Sequence, residues 1–403
     1  MKYALIGEKL SHSYSKTIHN LLGNNDYELC ELNRDEIGEF LKKREFKGLN
    51  VTIPYKKTVM SECVLSKGAR EIGSVNTIVN KDGVLYGYNT DADGFSYMAK
   101  RAGISFENKK VLVLGSGGAS NTAKYVAKCE GAFEVIVISR SGEDNYENIY
   151  ERHSDADIIV NTTPVGMYPN TGESAVDIDK FSDLCGVIDL IYNPLNTKLI
   201  LDAKKNKIKC TGGISMLVVQ AVSAHRHFFD SSFEIDAEAI IRKIERQFMN
   251  IVLIGMPGVG KSTLGKLIAE KLGRKFVDSD EEITSATGCL PGDIIKAKGE
   301  DEFRKIESEI ISKITKEKGI VIATGGGSIL REENRKALME NGYILYLERE
   351  LESLEKKGRP LSADLEGLFK ARKPIYEAMC DTKVRVCPDR SETAKQIEFL
   401  VRE

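Results

Sequence analysis

The segment that most restricts the fold begins at Ile251: IVLIGMPGVGKSTLGKLIAEKLG, a run of β-formers, then glycines spaced G-x-x-x-x-G-K-S, then a helix-compatible stretch. Strand, glycine loop and helix in that order gather the backbone N–H groups from Gly255 to Gly260 around a phosphate. Lys261 is long enough to reach the terminal oxygens, and the Ser262 hydroxyl can hold magnesium. Gly258, Gly260, Lys261, Ser262 and Thr263 are therefore the expected nucleotide contacts. A parallel α/β sheet must carry such a loop.

A second glycine turn lies upstream. In VLVLGSGGAS, Gly115 can make a tight strand-to-helix turn, and Gly117 lets the following amides, with Gly118 and Ala119, approach a pyrophosphate. Ser120 stands where the dinucleotide fingerprint has its third glycine and is small enough for close packing. The next strand-like run, EVIVI, ends in Ser139, Arg140 and Ser141, where an NAD site would carry an acidic residue. An arginine suits a 2′-phosphate, which points to NADP(H). Elsewhere short β-rich runs such as DIIV and GVIDL alternate with helix-length segments, the pattern of parallel α/β sheets.

Two phosphate turns in 403 residues imply at least two cores. The stretch DAEAIIRKIERQ, charged on one face and Ile-rich on the other, predicts a short helical junction over 236–249 with no Pro- or Gly-rich linker. The net charge of -2 leaves no electrostatic footprint for nucleic acid or membranes. With no long apolar run and no leader-like start, a soluble, cytoplasmic chain acting on small molecules is expected. The eight cysteines form no C-x-x-C pair and read as reduced thiols, mostly core fillers; the five histidines lack metal-ligand spacing.

The residues ahead of the first glycine turn carry distinctive strings: SHSYSKTIHN, GLNVTIPYK, GSVNT and GYNTDADG, followed after the turn by NTTPVGM, DLIYNPLNT and GISMLVVQA. In this order they resemble the shikimate dehydrogenase family. The resemblance implies a substrate domain at 1–98 completed by 211–235, and a Rossmann-like NADP domain at 99–210. It implies that Ser13 and Ser15 hold the substrate carboxylate and that Thr52, Asn76, Asn89 and Gln220 hold ring hydroxyls, with Tyr192 nearby. Gly213 would border the cofactor, and Lys56 and Asp91 would be the catalytic pair. The chemistry agrees: reducing a ring ketone builds negative charge on oxygen, which an ammonium oriented by a carboxylate can stabilise and protonate. His12 and His19 read as structural members of the serine loop and its helix. Lys16 stands where the family commonly has Pro, which can loosen the serine loop, and Ala92 stands where the family has Gly or an aromatic.

From Asn250 the strings FVDSDEEI, GEDEFRKIE, ATGGGS, GRPL and ARKPIYE resemble shikimate kinase, implying a P-loop α/β domain of the nucleoside monophosphate kinase type with a parallel sheet over 250–403. By that resemblance Asp278 assists magnesium and Asp280 binds and activates the attacked hydroxyl. Arg304 and Arg372 clamp the substrate carboxylate, Gly326 and Gly327 offer backbone amides, and Arg359 comes from a charged lid. The combined expectation is a two-step enzyme. NADPH would reduce 3-dehydroshikimate to shikimate, and ATP with Mg would phosphorylate the shikimate 3-hydroxyl. Two alternatives stand beside it: quinate oxidation in the first module, or one module retained as a non-catalytic sensor or scaffold. The presence of Lys56, Asp91, Lys261 and Asp280 argues against the latter.

Overall fold

The computed structural model of the chain describes residues 2–10, 13–230, 234–354 and 365–402. They divide into one unit of Met1–Asn193 with Leu199–Lys243, and a second of Pro194–Lys198 with Ile244–Glu403.

The first sheet of the first unit comprises β1 (Tyr3–Gly7), β2 (Tyr27–Glu31), β3 (Gly48–Val51), β4 (Val64–Leu65), β5 (Thr77–Lys81) and β6 (Val84–Tyr88), in the order β2-β1-β3-β5-β6-β4. The alternating pattern predicts parallel strands, but β5 runs antiparallel to both β3 and β6. The cause is local. Asp82 (φ 52°) and Gly83 (φ 85°) form a two-residue turn with both residues left-handed, whose twist matches a hairpin and reverses the chain. The sequence KDGV carried that signal.

The second sheet is wholly parallel. It contains β7 (Lys110–Leu114), β8 (Glu134–Ile138), β9 (Ile158–Asn161), β10 (Gly186–Asp189) and β11 (Lys209–Thr211), ordered β11-β10-β9-β7-β8. Side chains of β7 alternate between two cores: Val111 and Val113 join Phe95 and Ala123 on one face, Leu112 and Leu114 join Ile149 and Leu199 on the other. A strand buried on both faces reads as a continuous apolar run, as VLVL does. The strand order reverses between β7 and β9, so the carboxyl end of β7, followed by Gly115, opens on the crevice where α/β sheets take ligands.

Helix Ile214–Phe229 returns to the first sheet, where Phe228 packs with Tyr3, Leu5 and Tyr27. It also lies against helix Asp91–Arg101, which carries Asp91 at its first turn. A Cβ at Gly94 would stand 2.6 Å from the Met216 carbonyl oxygen, so only glycine permits this approach.

In the second unit, β12 (Asn250–Ile254), β13 (Phe276–Asp278), β14 (Val321–Ala323), β15 (Gly342–Glu348) and β16 (Thr382–Arg385) form a parallel sheet ordered β13-β14-β12-β15-β16. β12, fully buried, is its centre, and the phosphate loop leaves its carboxyl end between strands that diverge in sequence order. The predicted junction is the helix Ala237–Phe248. Among the described residues no helix is long and apolar enough to cross a membrane. The cysteines are all free, and the core-filling role expected of most of them holds only in part: Cys30, Cys63, Cys210 and Cys380 pack against the cores while half-buried. None is fully buried, and Cys129, Cys185 and Cys289 are exposed at helix ends and loops, where a thiol fills no cavity.

Candidate active sites

In the first unit the β3 end and the turn after it present Thr52 and Lys56, while β5 and helix Asp91–Arg101 present Asn76 and Asp91. Lys56 Nζ donates to Asp91 Oδ2 at 2.6 Å, and Asn76 Nδ2 donates to Asp91 Oδ1 at 2.9 Å, so both carboxylate oxygens are engaged and the group cannot rotate freely. The Asn76 orientation is fixed in turn: its Oδ1 accepts from the Thr90 backbone N–H at 2.8 Å and from the Thr77 hydroxyl at 3.0 Å. Lys56 keeps 29% of its side chain exposed and Asp91 17%, which leaves the ammonium reachable by a small molecule.

Other residues expected here take varied positions. Asn89 is buried, donating to Ser74 O and Oγ, while its Oδ1 has no partner among the described groups. The Ser13 hydroxyl accepts from Ser15 N–H at 3.2 Å at the start of helix Ser15–Leu21. Tyr14, between them, meets Tyr192 edge-on with ring centres 6.2 Å apart, bringing the serine segment beside Tyr192. Gln220 turns its amide onto its own helix at Leu217 O, 2.8 Å away. His12 lies outside the described residues. His19 is buried against Tyr27 at 3.9 Å, and burial, then repulsion from His225, lowers its pKa to about 3, so it is neutral and no acid or base near neutrality.

At the dinucleotide turn Gly115 has φ 98°, and a Cβ there would meet Thr163 Cγ2 at 2.9 Å and Thr162 Oγ1 at 3.0 Å. Gly117 and Gly118 instead face open space, leaving bare the N-terminus of helix Gly118–Cys129. Ser120 is buried and closes the turn by donating to Gly117 O at 2.6 Å. Ser139 and Arg140 follow the end of β8; Gly213 sits so tightly on the Leu190 carbonyl that no side chain fits. An open helix end, with an exposed arginine after the neighbouring strand, is a cradle suited to a phosphorylated dinucleotide.

The second unit encloses a cavity of about 1370 Å³ whose wall includes Lys261, Asp278, Asp280, Arg304, Gly327 and Arg372. Gly255, Gly258 and Gly260 take φ of 143°, 87° and 106°, conformations that favour glycine, and Lys261 Nζ donates to Gly255 O at 2.8 Å and Met256 O at 3.1 Å. Ser262 and Thr263 are exposed at the cavity wall, and Asp278 caps helix Ser279–Thr287 by accepting from Asp280 N–H. Glycine loop, ammonium, hydroxyl and carboxylate are a donor set that fits a nucleoside triphosphate with magnesium.

Arg304 is buried and forked onto Glu307 (2.7 Å) and Glu300 (2.9 Å), and Glu307 also accepts from Ser328 Oγ at 2.6 Å. Arg372 is buried on helix Leu365–Met379, and Tyr376 of the same helix donates to Gly326 O at 2.6 Å. Crowding by protein, then Asp278 and Glu307, raises the Asp280 carboxyl to about 6 against the pull of Lys261 and Arg304. The side chain is nonetheless exposed to the open cavity, so water now softens that effect, and a ligand filling the cavity would restore it in full. Arg359 and the GRPL string lie outside the described residues. Sequence reasoning missed Asn50, Glu307, Tyr376 and Arg390, although the first three stand inside the quoted strings; the Arg390 guanidinium lies 3.4 Å from the Cβ position of Gly260.

Fold and site together define a chain of two nucleotide-using α/β enzymes, one with a dinucleotide crevice and one with a P-loop. Residues 5–78 match the family model for the shikimate dehydrogenase substrate binding domain, and residues 257–400 that for shikimate kinase. A shikimate dehydrogenase (NADP(+)) of Clostridium perfringens is 39% identical over 243 residues, covering 55% of this chain and 90% of the relative. The crystal structure of shikimate dehydrogenase 1 from Peptoclostridium difficile (34% identity, TM-score 0.55) covers 60% of this chain and 98% of its own. That of the Thermus thermophilus enzyme in complex with NADP(H) and shikimate (29%, TM-score 0.54) covers 61% and 99%. The chain belongs to the shikimate dehydrogenase family and carries a shikimate kinase domain after it, making it a bifunctional enzyme of the shikimate pathway.

Proposed function

We propose that the first unit reduces 3-dehydroshikimate to shikimate and the second phosphorylates the shikimate 3-hydroxyl, with the substrate domain at 1–98 and 211–235, the NADP domain at 99–210 and the kinase from 250. The supporting observation is that each unit sets an ammonium and a carboxylate in one site: Lys56 hydrogen-bonded to Asp91, and Lys261 and Asp280 on the wall of one cavity.

NADPH, when bound, supplies the hydride. Lys56 then stabilises the developing alkoxide and gives it a proton, while Asp91, held by Asn76, aims the ammonium. Ser13 and Ser15 bind the carboxylate, and Thr52, Asn89, Tyr192 and Gln220 surround the ring; Gln220 must leave Leu217 O to do so. Gly115, Gly117, Gly118 and Ala119 cradle the pyrophosphate, Ser139 and Arg140 take the 2′-phosphate, and Gly213 borders the nicotinamide.

ATP with magnesium, when bound, supplies the phosphoryl group. Lys261 moves from the loop carbonyls to the terminal phosphates, and Gly258, Gly260 and Thr263 enclose them. Ser262 and Asp278 hold the metal. Arg304, Arg372 and the Gly326–Gly327 amides fix the acid so that Asp280 accepts the proton of the attacked hydroxyl.

Mass analysis of the product of 3-dehydroshikimate tests the scheme. With NADPH alone the product should gain two hydrogens, and with ATP and magnesium added it should also gain one phosphoryl group. Recovery of unchanged 3-dehydroshikimate, or of reduced acid that ATP leaves untouched, overturns the corresponding half.

A further inference from the structure

Behind the Lys56–Asp91 pair runs a line of buried polar side chains that no substrate contact explains. Asn50 on β3 is its hub. Asn50 Nδ2 lies 3.4 Å from the Asn76 backbone carbonyl, an acceptor only, and 3.1 Å from Thr77 Oγ1, which fixes the sense of the amide. Asn50 Oδ1 therefore faces His19 Nε2 at 3.1 Å and the Tyr27 hydroxyl at 2.8 Å, and both must donate to it. Thr77 receives from Asn50 and so passes its own proton to Asn76 Oδ1, leaving the Asn76 amide N–H groups for Asp91. The donors point one way, from His19 and Tyr27 through Asn50, Thr77 and Asn76 to the carboxylate. His19 Nδ1 is buried with no hydrogen-bond partner among the described residues, compatible with the neutral tautomer that carries its proton on Nε2.

We propose that His19, with Tyr27, is a positioning residue of the dehydrogenase reaction, acting through the Asn50–Thr77–Asn76 chain to hold the Asp91 side chain in place and aimed at Lys56. The proposal rests on the reading of Lys56 and Asp91 as the catalytic pair. Hydrogen bonds aligned in one direction polarise one another, and a low-dielectric surround strengthens the effect, so loss of the far donors reaches the carboxylate.

The test uses the full chain, and KM for NADPH, unchanged where the first unit is folded, reports on its folding in the same sample. His19→Leu should lower dehydrogenase kcat about tenfold while KM for the acid changes less than about threefold, because His19 touches no substrate. His19→Gln, whose amide can replace the Nε2 donor, should recover most of the loss. In an Asp91→Asn background His19→Leu should add nothing, whereas a purely structural role would cost the same in both backgrounds. Full dehydrogenase rate in His19→Leu, or additivity with Asp91→Asn, refutes the proposal. Should His19→Leu fail to fold, Tyr27→Phe removes a donor with little change of shape and carries the same predictions. Failure of the catalytic-pair reading is distinguishable, since then Asp91→Asn alone would leave the rate intact.

Discussion

The Arg304 guanidinium lies across the Cα of Gly327: a Cβ there would stand 2.7 Å from Nη1 and 2.9 Å from Cζ. The resemblance to shikimate kinase gives Gly327 the role of a backbone amide donor, for which a glycine leaves room. The structure gives another reason, that the arginine occupies the space.

Gly327→Ala should therefore displace Arg304 from its fork on Glu307 and Glu300. Shikimate KM of the kinase should rise about tenfold, equivalent to about 1.4 kcal/mol of binding, with the dehydrogenase rate as an unchanged internal control. Steady-state kinetics of both activities on one preparation measure this. An unchanged KM would mean that Arg304 does not grip the acid.

Asp280 links activity and stability with opposite signs. Its carboxyl is raised from the ordinary 3.8 to about 6. The phosphoryl-transfer step needs the carboxylate, so kinase kcat/KM should fall as pH drops through about 6. Folding responds in reverse. Between the two values the folded state holds the proton more tightly than the unfolded chain, so stability declines as pH rises through that window, and above it the ionised group is a net cost. Asp280→Asn should lose at least about 100-fold in kinase rate. It should melt higher by roughly 2 °C at pH 7.5 and no higher at pH 3.5, a modest gain because cavity water already solvates the carboxylate. Calorimetry at the two pH values, beside a kinase pH profile, separates the effects.

Glu238, on the junction helix, receives Arg101 through Nε and Nη2 at 2.8 to 3.2 Å and the Tyr97 hydroxyl at 3.0 Å; both partners lie on the helix that begins at Asp91. The Arg101 hydrogen bond, chiefly, holds the Glu238 carboxyl below its ordinary range. A depressed acid contributes stability above its unfolded pKa and loses it as pH falls through the folded value. Glu238→Gln should thus cost about 0.5–1 kcal/mol at pH 7, the range of a partly exposed ion pair, and almost nothing near pH 3. Denaturant titration followed by loss of dehydrogenase activity measures it, and an equal cost at both pH values would assign the effect to packing.

The parts legible in sequence were those where backbone geometry and side-chain chemistry are local. The glycine loop at Gly255 and the turn at Gly115 announce strand, turn and helix within a few residues, because positive φ demands glycine there. What stayed hidden was contact across long separations. Nothing near His19 indicates that it ends a hydrogen-bond chain through Asn50, and nothing near Gly94 tells that Met216 of another helix fills its side-chain space. The antiparallel β5 and β6 were missed for a different reason: Asp82–Gly83 was a readable hairpin signal overlooked among strands that alternate with helices.

The proposed contact of Arg140 with a 2′-phosphate makes it the residue on which cofactor preference should depend. It stands two residues past the end of β8, between Ser139 and Ser141; burial raises the Tyr146 hydroxyl and the Arg140 charge partly opposes that rise. A guanidinium recognises a phosphate through charge-assisted, often paired hydrogen bonds, whereas a ribose hydroxyl gains little from it. Arg140→Ser should accordingly raise KM for NADPH about tenfold or more and leave KM for NADH within about twofold, narrowing the preference without a large change in kcat. Removing a charge that served only packing would weaken both cofactors alike. The ratio of the two KM changes, measured on one preparation with 3-dehydroshikimate saturating and NADPH or NADH varied, decides between these outcomes.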